Sequence, residues 1–331
     1  MQSFVVADEH RGMLLDEYVA LCWPDISKGT LRRLIRDGLI TVEGQPTLPG
    51  RRLHSGQLIL LEAELDDLPI KRIKPAKMKV DVLYQDQDLL AVNKPAGIPV
   101  EPSRWGEHPE HLGGAMLAWA EKQKRADGLI DVRPRALHRL DLGTTGVILY
   151  ALNLEAERYY RQLFADRKVA KTYHALVLGE VREGGVVDLP LEQEKRDGSR
   201  MKVVKKGGKA SITEYEPLQR FRGYTLIEAR PKTGRTHQIR VHMAALGFPL
   251  AVDPLYGGRE SMMLSELKSG YRPKAGMPER PLMDRLTLHA QQIQLTSPQG
   301  ELITIKAEYP KDLRILLSKM EKFRRAHTSR S

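Results

Sequence analysis

The chain has 331 residues, of which 41% are hydrophobic, and carries 53 Lys and Arg against 42 Asp and Glu, a formal charge of +11. The hydrophobic content excludes a disordered chain, and the length fits two domains or one large domain with an appendage. The basic surplus favours a polyanionic partner, because each phosphate contact releases counterions.

The start, MQSFVVADEHRG, has no basic stretch followed by an apolar one, and no apolar run approaches the length of a membrane span. Cys22 is the only cysteine, so neither an intramolecular disulfide nor a Cys-based zinc site can form, which suits a reducing compartment. A soluble, cytoplasmic protein with no membrane partner is expected. Residues 8–63 read as a small α+β module. Leu14 to Cys22 has apolar residues at helical spacing, and Trp23-Pro24-Asp25 stops it. Ser27 is a plausible N-cap for a second helix over Lys28–Asp37, with Gly38 as its C-cap. That helix puts Leu31, Leu34 and Ile35 on one face and Lys28, Arg32, Arg33 and Arg36 around the other. Leu39–Val42 and Leu58–Leu61 read as strands. Residues 64–79 turn from acidic to basic around Pro69 and Pro75 and read as a linker.

From residue 80 to 320 short strands dominate, among them 89–93, 147–151, 173–177 and 224–228, interrupted by helices at 154–166 and about 238–246. Such irregular mixing implies an α+β domain on a largely antiparallel mixed sheet. Residues 195–209, KRDGSRMKVVKKGGK, are strongly basic, and 321–331 form a basic tail expected to fray.

Three segments concentrate chemistry. In His138-Arg139-Leu140-Asp141, followed by Leu142-Gly143-Thr144-Thr145-Gly146, a carboxylate sits between an arginine and a glycine-containing turn before an apolar strand. Carboxylates so placed act as nucleophiles or bases, although a salt-bridged Asp capping a turn looks the same in isolation. Thr233-Gly234-Arg235-Thr236-His237-Gln238-Ile239-Arg240-Val241-His242 delivers two arginines and two histidines from a Gly-led turn. The His spacing does not match a helical zinc motif, so no metal is expected. Lys171-Thr172-Tyr173 enters a strand, where Tyr173 is either sheet packing or a stacking platform for a base.

Together these segments resemble pseudouridine synthases of the ribosomal large-subunit (RluA) type. Asn93-Lys94-Pro95-Ala96-Gly97 looks like that family's first motif, Lys171–Ala175 like its tyrosine motif, and Thr233–Leu250 with Asp253–Gly257 like its arginine motif. Leu288-His289-Ala290 resembles a late family strand. The N-terminal module resembles the S-four-type RNA-binding domain through Leu15–Tyr18, Ile26–Gly29, Leu34–Gly38 and Gly56–Ile59. The chain departs from the family at Glu101, where His is common, at Ala251-Val252-Asp253 in place of Gly-Asp, and at Thr145 in place of Ser. The first two are expected to lie outside the catalytic set.

The resemblance implies an enzyme that isomerises uridine in structured RNA, most simply large-subunit ribosomal RNA and alternatively transfer RNA, working as a monomer without metal or organic cofactor. It assigns the sugar chemistry to Asp141, stacking on the target uracil to Tyr173, and pairing with Asp141 to Arg235, with Arg240 as fallback. Arg139 would fill the space left by the flipped base. Lys94, Lys28, Arg32, Arg33 and Arg36 would contact phosphates; a strand-end charge is the other reading of Lys94. Two competitors remain. A non-catalytic RNA-binding protein on this fold would be marked by loss of Asp141 or Tyr173. A glycosidase or base-excision enzyme commonly needs a second catalytic acid, which the motifs do not supply.

Overall fold

The structure is a computed structural model and describes residues 2–23, 25–64, 67, 68, 70, 78–101, 110–127, 134–195, 198–272 and 276–326. Most of the expected linker, residues 196 and 197 of the basic segment, and the last five residues of the expected tail lie outside the described residues. The chain divides into two compact units: Met1–Val80 with Glu101–Arg135 and Leu152–Glu155, and Asp81–Val100 with Ala136–Ala151 and Ala156–Ser331.

The first unit holds strand β1 (Gln2–Val5), helices α1 (Leu15–Cys22) and α2 (Lys28–Arg36), and strands β2 (Ile40–Val42) and β3 (Leu58–Leu61). The Ser27 hydroxyl accepts the Thr30 amide at 3.1 Å and so caps α2, while Gly38 leaves the helix at φ 74°. The three strands form an antiparallel sheet in the order β1-β3-β2. Ile59 and Leu61 on one face of β3 are buried with Leu15, Val19, Leu31, Leu34 and Ile35, the period-2 and period-3.6 patterns meeting in one core. This sheet begins ahead of residue 8. A four-residue strand is too short to show periodicity, yet Trp23 pins it: its ring meets Phe4 edge-on at 5.2 Å, and its indole N–H donates to the Gln2 side chain at 2.6 Å. Helix α3 (Leu112–Asp127) belongs to the same unit.

The second unit is built on a ten-stranded sheet. Its strands in chain order are β4 (Val82–Gln85), β5 (Leu89–Lys94), β6 (Arg135–Ala136), β7 (Thr145–Ala151), β8 (Ala170–Leu178), β9 (Gly185–Asp188), β12 (Ile212–Phe221), β13 (Tyr224–Pro231), β14 (Leu288–Thr296) and β15 (Leu302–Lys306). Between β9 and β12 a separate hairpin pairs β10 (Leu191–Gln193) with β11 (Met201–Val203). The main path runs β4-β5-β7-β14-β8-β13-β12-β9, with β15 beside β14 and β6 beside β7. The β7–β14 pair is parallel, and every other pair of known register is antiparallel, so the sheet is mixed and largely antiparallel. Strand β7 is buried at every residue, which is why Thr145–Ala151 reads as a continuous apolar run rather than an alternating one. At its start Gly146 has φ 111°, and a Cβ there would lie 2.2 Å from the Ala290 carbonyl oxygen. The parallel strand can approach only because this residue has no side chain.

Helices α4 (Leu154–Ala165), of which all but the first two residues fall in this unit, α5 (Gln238–Ala245), α6 (Leu264–Leu267) and α7 (Lys311–Phe323) complete it. Helix α7 buries Leu313, Leu316, Leu317 and Met320 at helical spacing and continues to Phe323, past the expected start of the tail. Three features bring the site together: the turn from β6 to β7, the middle of β8, and the first turn of α5 after β13.

Candidate active site

Asp141 occupies the turn ahead of β7, closed by the Thr144 amide donating to the Asp141 carbonyl at 3.0 Å. Its side chain is 23% exposed and faces a cleft of about 470 Å³ that it shares with Arg139, Lys171, Tyr173, Arg235, His237 and Arg240. A cleft of this size suits one nucleotide-sized group.

The expected partner was Arg235, and the structure corrects this. Arg240 Nη1 donates to Asp141 Oδ2 at 3.1 Å, while the Arg235 guanidinium turns to the Ala210 carbonyl, Nε to O 3.3 Å. The reason lies in the turn. Gln238 accepts from the Arg235 amide and the Thr233 hydroxyl through Oε1, at 3.0 and 2.7 Å. Through Nε2 it donates to the Ile212 carbonyl and the Thr213 hydroxyl, at 2.8 and 2.9 Å. This fully used amide fixes the turn so that His237 and Arg240, three apart at the start of α5, share the face toward Asp141.

Arg240 is 4% exposed and holds a second carboxylate. Its Nε and Nη2 donate to Asp253 Oδ2 and Oδ1, each at 2.8 Å, a bidentate fork onto a side chain with no exposure. Asp253 Oδ1 also accepts the amides of Leu255 and Tyr256, at 2.9 and 3.2 Å, and the Tyr256 ring lies 5.0 Å from the guanidinium carbon. Asp253 therefore belongs to the site from which it was expected to be absent. Its sequence signal was the Asp-Pro-Leu-Tyr-Gly run, a turn signature that fits an Asp accepting the amides that follow it.

Tyr173 lies half-buried on β8 against the cleft. Burial pushes its phenol up, and the nearby charge of Asp141 pushes it further, so the hydroxyl stays protonated. Lys171, two residues earlier on the same face of β8, donates to the Thr233 carbonyl at 3.2 Å, and burial lowers it to about 8. His237 sits 3.9 Å from Asp141 Oδ1; burial pushes its imidazole below the ordinary value against the pull of Asp141. Neither Lys171 nor His237 carried an expected role, although both stand in motifs already singled out. His138 is structural. Its Nε2 accepts the Leu149 amide at 3.1 Å, and burial, then the charge of Lys171, holds it down at about 3.

Two sets of expected phosphate contacts also change. Lys94 has no exposure, and its ammonium donates to the carbonyls of Pro95, Ile98 and Leu142, at 2.8, 2.8 and 3.0 Å. All three donors are used, so it cannot contact an RNA phosphate; it clamps the Pro95–Ile98 turn to the residue after Asp141. Burial lowers it to about 7. In the first unit, Arg32 and Lys28 face Asp16, at 2.6 and 3.8 Å; the Asp16 side chain is 3% exposed. Their charge answers a buried carboxylate, whereas Arg33 and Arg36 are exposed and, among the described residues, make no ion pair. Arg139 stands exposed at the cleft mouth, its guanidinium bonded to the Thr236 hydroxyl. Among the described residues no group of three or more His, Cys, Asp or Glu side chains could hold a metal, and no helix is long and apolar enough to cross a membrane.

Residues 88–245, which contain Asp141, Tyr173 and Arg240, match the family model of the RNA pseudouridylate synthases. Over 328 residues the chain is 32% identical to the ribosomal large subunit pseudouridine synthase D of Xanthomonas campestris, covering 96% of this chain and 92% of that protein. The chain belongs to the RluA-type pseudouridine synthases. An uncharacterized RNA pseudouridine synthase of Aquifex aeolicus is 36% identical over 262 residues, 77% of this chain and 80% of that one. The fold matches human RNA pseudouridylate synthase domain containing 4, with a TM-score of 0.54 at 24% identity over 73% of this chain and 93% of that one. In this pseudouridine synthase the carboxylate that the HRLD turn presents is thus held by the second arginine of the following motif, not the first.

Proposed function

We propose that the chain isomerises uridine to pseudouridine in large-subunit ribosomal RNA, with Asp141 as the reacting carboxylate. The observation that carries this reading is a single carboxylate, oriented by a buried arginine, at the side of a basic cleft that also presents a protonated tyrosine. The reaction breaks the bond from uracil N1 to the anomeric carbon C1′, turns the ring, and joins C5 to C1′. A proton leaves C5 and N1 gains one, so no electrons are exchanged and no redox partner is needed. Asp141 either attacks C1′ or removes the neighbouring sugar proton, and Arg240 fixes its rotamer in both cases. Tyr173 stacks on the flipped uracil, and Arg139, at the mouth, fills the space the base vacates. The choice of ribosomal RNA rests on the names of the relatives.

The first unit supplies a second hold on the RNA. Its paired helices and three-stranded sheet, with exposed Arg33 and Arg36, support the reading of residues 8–63 as an S-four-type RNA-binding module. The enzyme works as a cytoplasmic monomer without metal or cofactor. The test is tritium release from RNA labelled at uracil C5, since that hydrogen is lost in each turnover. Wild type should release tritium from large-subunit ribosomal transcripts and not from transfer RNA. Asp141→Asn, which keeps the shape but can act neither as nucleophile nor as base, should release none while binding RNA normally. Turnover by that variant near the wild-type rate refutes the assignment.

A further inference from the structure

His237 is held in an unusual way. It caps α5 with φ 55° and ψ 17°, the left-handed region that few non-glycine residues adopt, histidine, asparagine and aspartate being those that do so most readily. Strain of this kind persists only where the surroundings over-determine it, as the Gln238 bonds do here, and it concentrates at functional positions. Its ring is also held through Nδ1. The Tyr256 hydroxyl accepts the Met201 amide at 2.8 Å and lies 2.9 Å from His237 Nδ1. With its oxygen already accepting the Met201 amide, the phenol is placed to donate to Nδ1, and we assign its hydrogen there. In that assignment the hydrogen of the neutral imidazole is on Nε2. Nε2 is the atom 3.9 Å from Asp141 Oδ1, and among the described residues Oδ1 has no hydrogen bond, while Arg240 takes Oδ2.

We propose that His237 is a positioning residue for Asp141: its Nε2–H, oriented by Tyr256, holds the carboxylate oxygen that Arg240 leaves free. The inference rests on the reading of Asp141 as the reacting group. The gap of 3.9 Å is about 1 Å longer than a hydrogen bond, and contacts of this kind tighten when substrate binds. Two donors on one helix face would then fix both the direction and the twist of the carboxylate. One donor leaves the twist free. The chain of contacts also reaches the surface. Tyr256 is anchored by the β10–β11 hairpin through the Met201 amide and through Arg200, whose guanidinium lies 5.7 Å from the ring and bonds the Leu255 carbonyl. That hairpin and the residues just after it expose Lys195, Lys202, Lys205, Lys206 and Lys209. RNA gripping this basic hairpin would steady Tyr256, and through it His237.

Two substitutions separate the donor role from backbone fit. Asn places its amide nitrogen near Nδ1 and tolerates the left-handed region, but leaves nothing at Nε2. Gln reaches the Nε2 position with an N–H but suits the backbone less well. On the full chain, His237→Asn should lower kcat for tritium release about 10- to 100-fold with KM for RNA little changed. His237→Gln should recover much of that loss although it melts no higher than the Asn variant. Tyr256→Phe, which frees the tautomer, should lower kcat in the wild-type background and add little to His237→Asn. If kcat follows melting temperature instead, with Asn the more active variant, His237 is only a structural cap and the proposal falls. It also falls if His237→Asn turns over like wild type while Asp141→Asn is dead. If Asp141→Asn itself is active, the reading of the reacting group has failed, which is a different result.

Discussion

Replacing Arg240 with Ala should damage the enzyme in two separable ways. The first is stability. Arg240 gives two bonds to Asp253, which has no exposure, and one to Asp141. Without it Asp253 keeps, among the described residues, only the amides of Leu255 and Tyr256, and removing one partner of a buried pair costs about 3–5 kcal/mol. A domain with a typical margin of about 5–15 kcal/mol survives this at room temperature, so the variant can be purified and its folded fraction measured by urea unfolding. The second is rate. Asp141 loses the one donor that fixes Oδ2, and a carboxylate displaced by about 1 Å costs roughly 100-fold in turnover. Arg240→Lys keeps a positive charge but cannot span both carboxylates as the planar fork does, so it should fall between wild type and Ala. Arg235→Ala loses one bond of 3.3 Å to a backbone carbonyl, worth about 1 kcal/mol, and should keep most of its kcat. Tritium release per folded molecule decides the matter. If Arg235→Ala is slower than Arg240→Ala, the ion pair in the structure is not the one that matters in catalysis.

Gly146→Ala should destabilise the second unit by about 3 kcal/mol or more, since the new methyl meets the Ala290 carbonyl and the backbone is in a glycine region; a melting temperature within about 2 °C of wild type would contradict that close approach. Acid should weaken the same unit. Burial holds His138 at about 3 and His289 at about 4, whereas the unfolded chain takes up these protons near 6.5. The unfolded state therefore binds more protons between those values, and the stability present above pH 6.5 is lost as pH falls toward 4, about 2 kcal/mol for each histidine by pH 5. A urea midpoint that does not drop between pH 7 and pH 5 would show that these histidines are not buried and neutral.

Much of the fold could be read where a local pattern carried it. Ser27, the apolar face of α2 and Gly38 mark one helix unambiguously, and the run from Thr145 to Ala151 marks a buried strand. Strand β12 could not be read in this way. Ile212–Phe221 mixes charges with Pro217, beside which the pairing with β13 shifts register, so no period survives. In the site, Asp141 was visible because the turn around it is local. Its partner was not. Arg235 is nearer the Gly-led turn, and only the Gln238 bonds to β12, 25 and 26 residues away, decide which arginine faces the carboxylate. The spacing of three between His237 and Arg240 was the available clue. Lys94 shows the reverse limit. An Asn-Lys-Pro turn looks exposed, and its burial depends on the Leu142 carbonyl 48 residues later.

The same distinction between a charge that is present and a charge that is available bears on the N-terminal helix. Four basic residues suggest three or four phosphate contacts, but Lys28 and Arg32 are turned to Asp16, a side chain 3% exposed. Releasing them to RNA would leave a buried carboxylate unpaired, which opposes the exchange. Among the described residues Arg33 and Arg36 carry no such obligation. If this helix grips RNA as proposed, the double variant Arg33→Ala/Arg36→Ala should flatten the slope of log affinity against log salt by about 1.4–1.8, at 0.7–0.9 for each phosphate. Lys28→Ala/Arg32→Ala should leave the slope nearly unchanged and lower the melting temperature of the first unit instead. Binding of a large-subunit ribosomal transcript at several salt concentrations measures the first effect, and thermal unfolding measures the second. Equal flattening by both pairs in folded protein would mean that Asp16 does not hold its partners when RNA arrives. No flattening by Arg33→Ala/Arg36→Ala would remove this helix from the RNA interface.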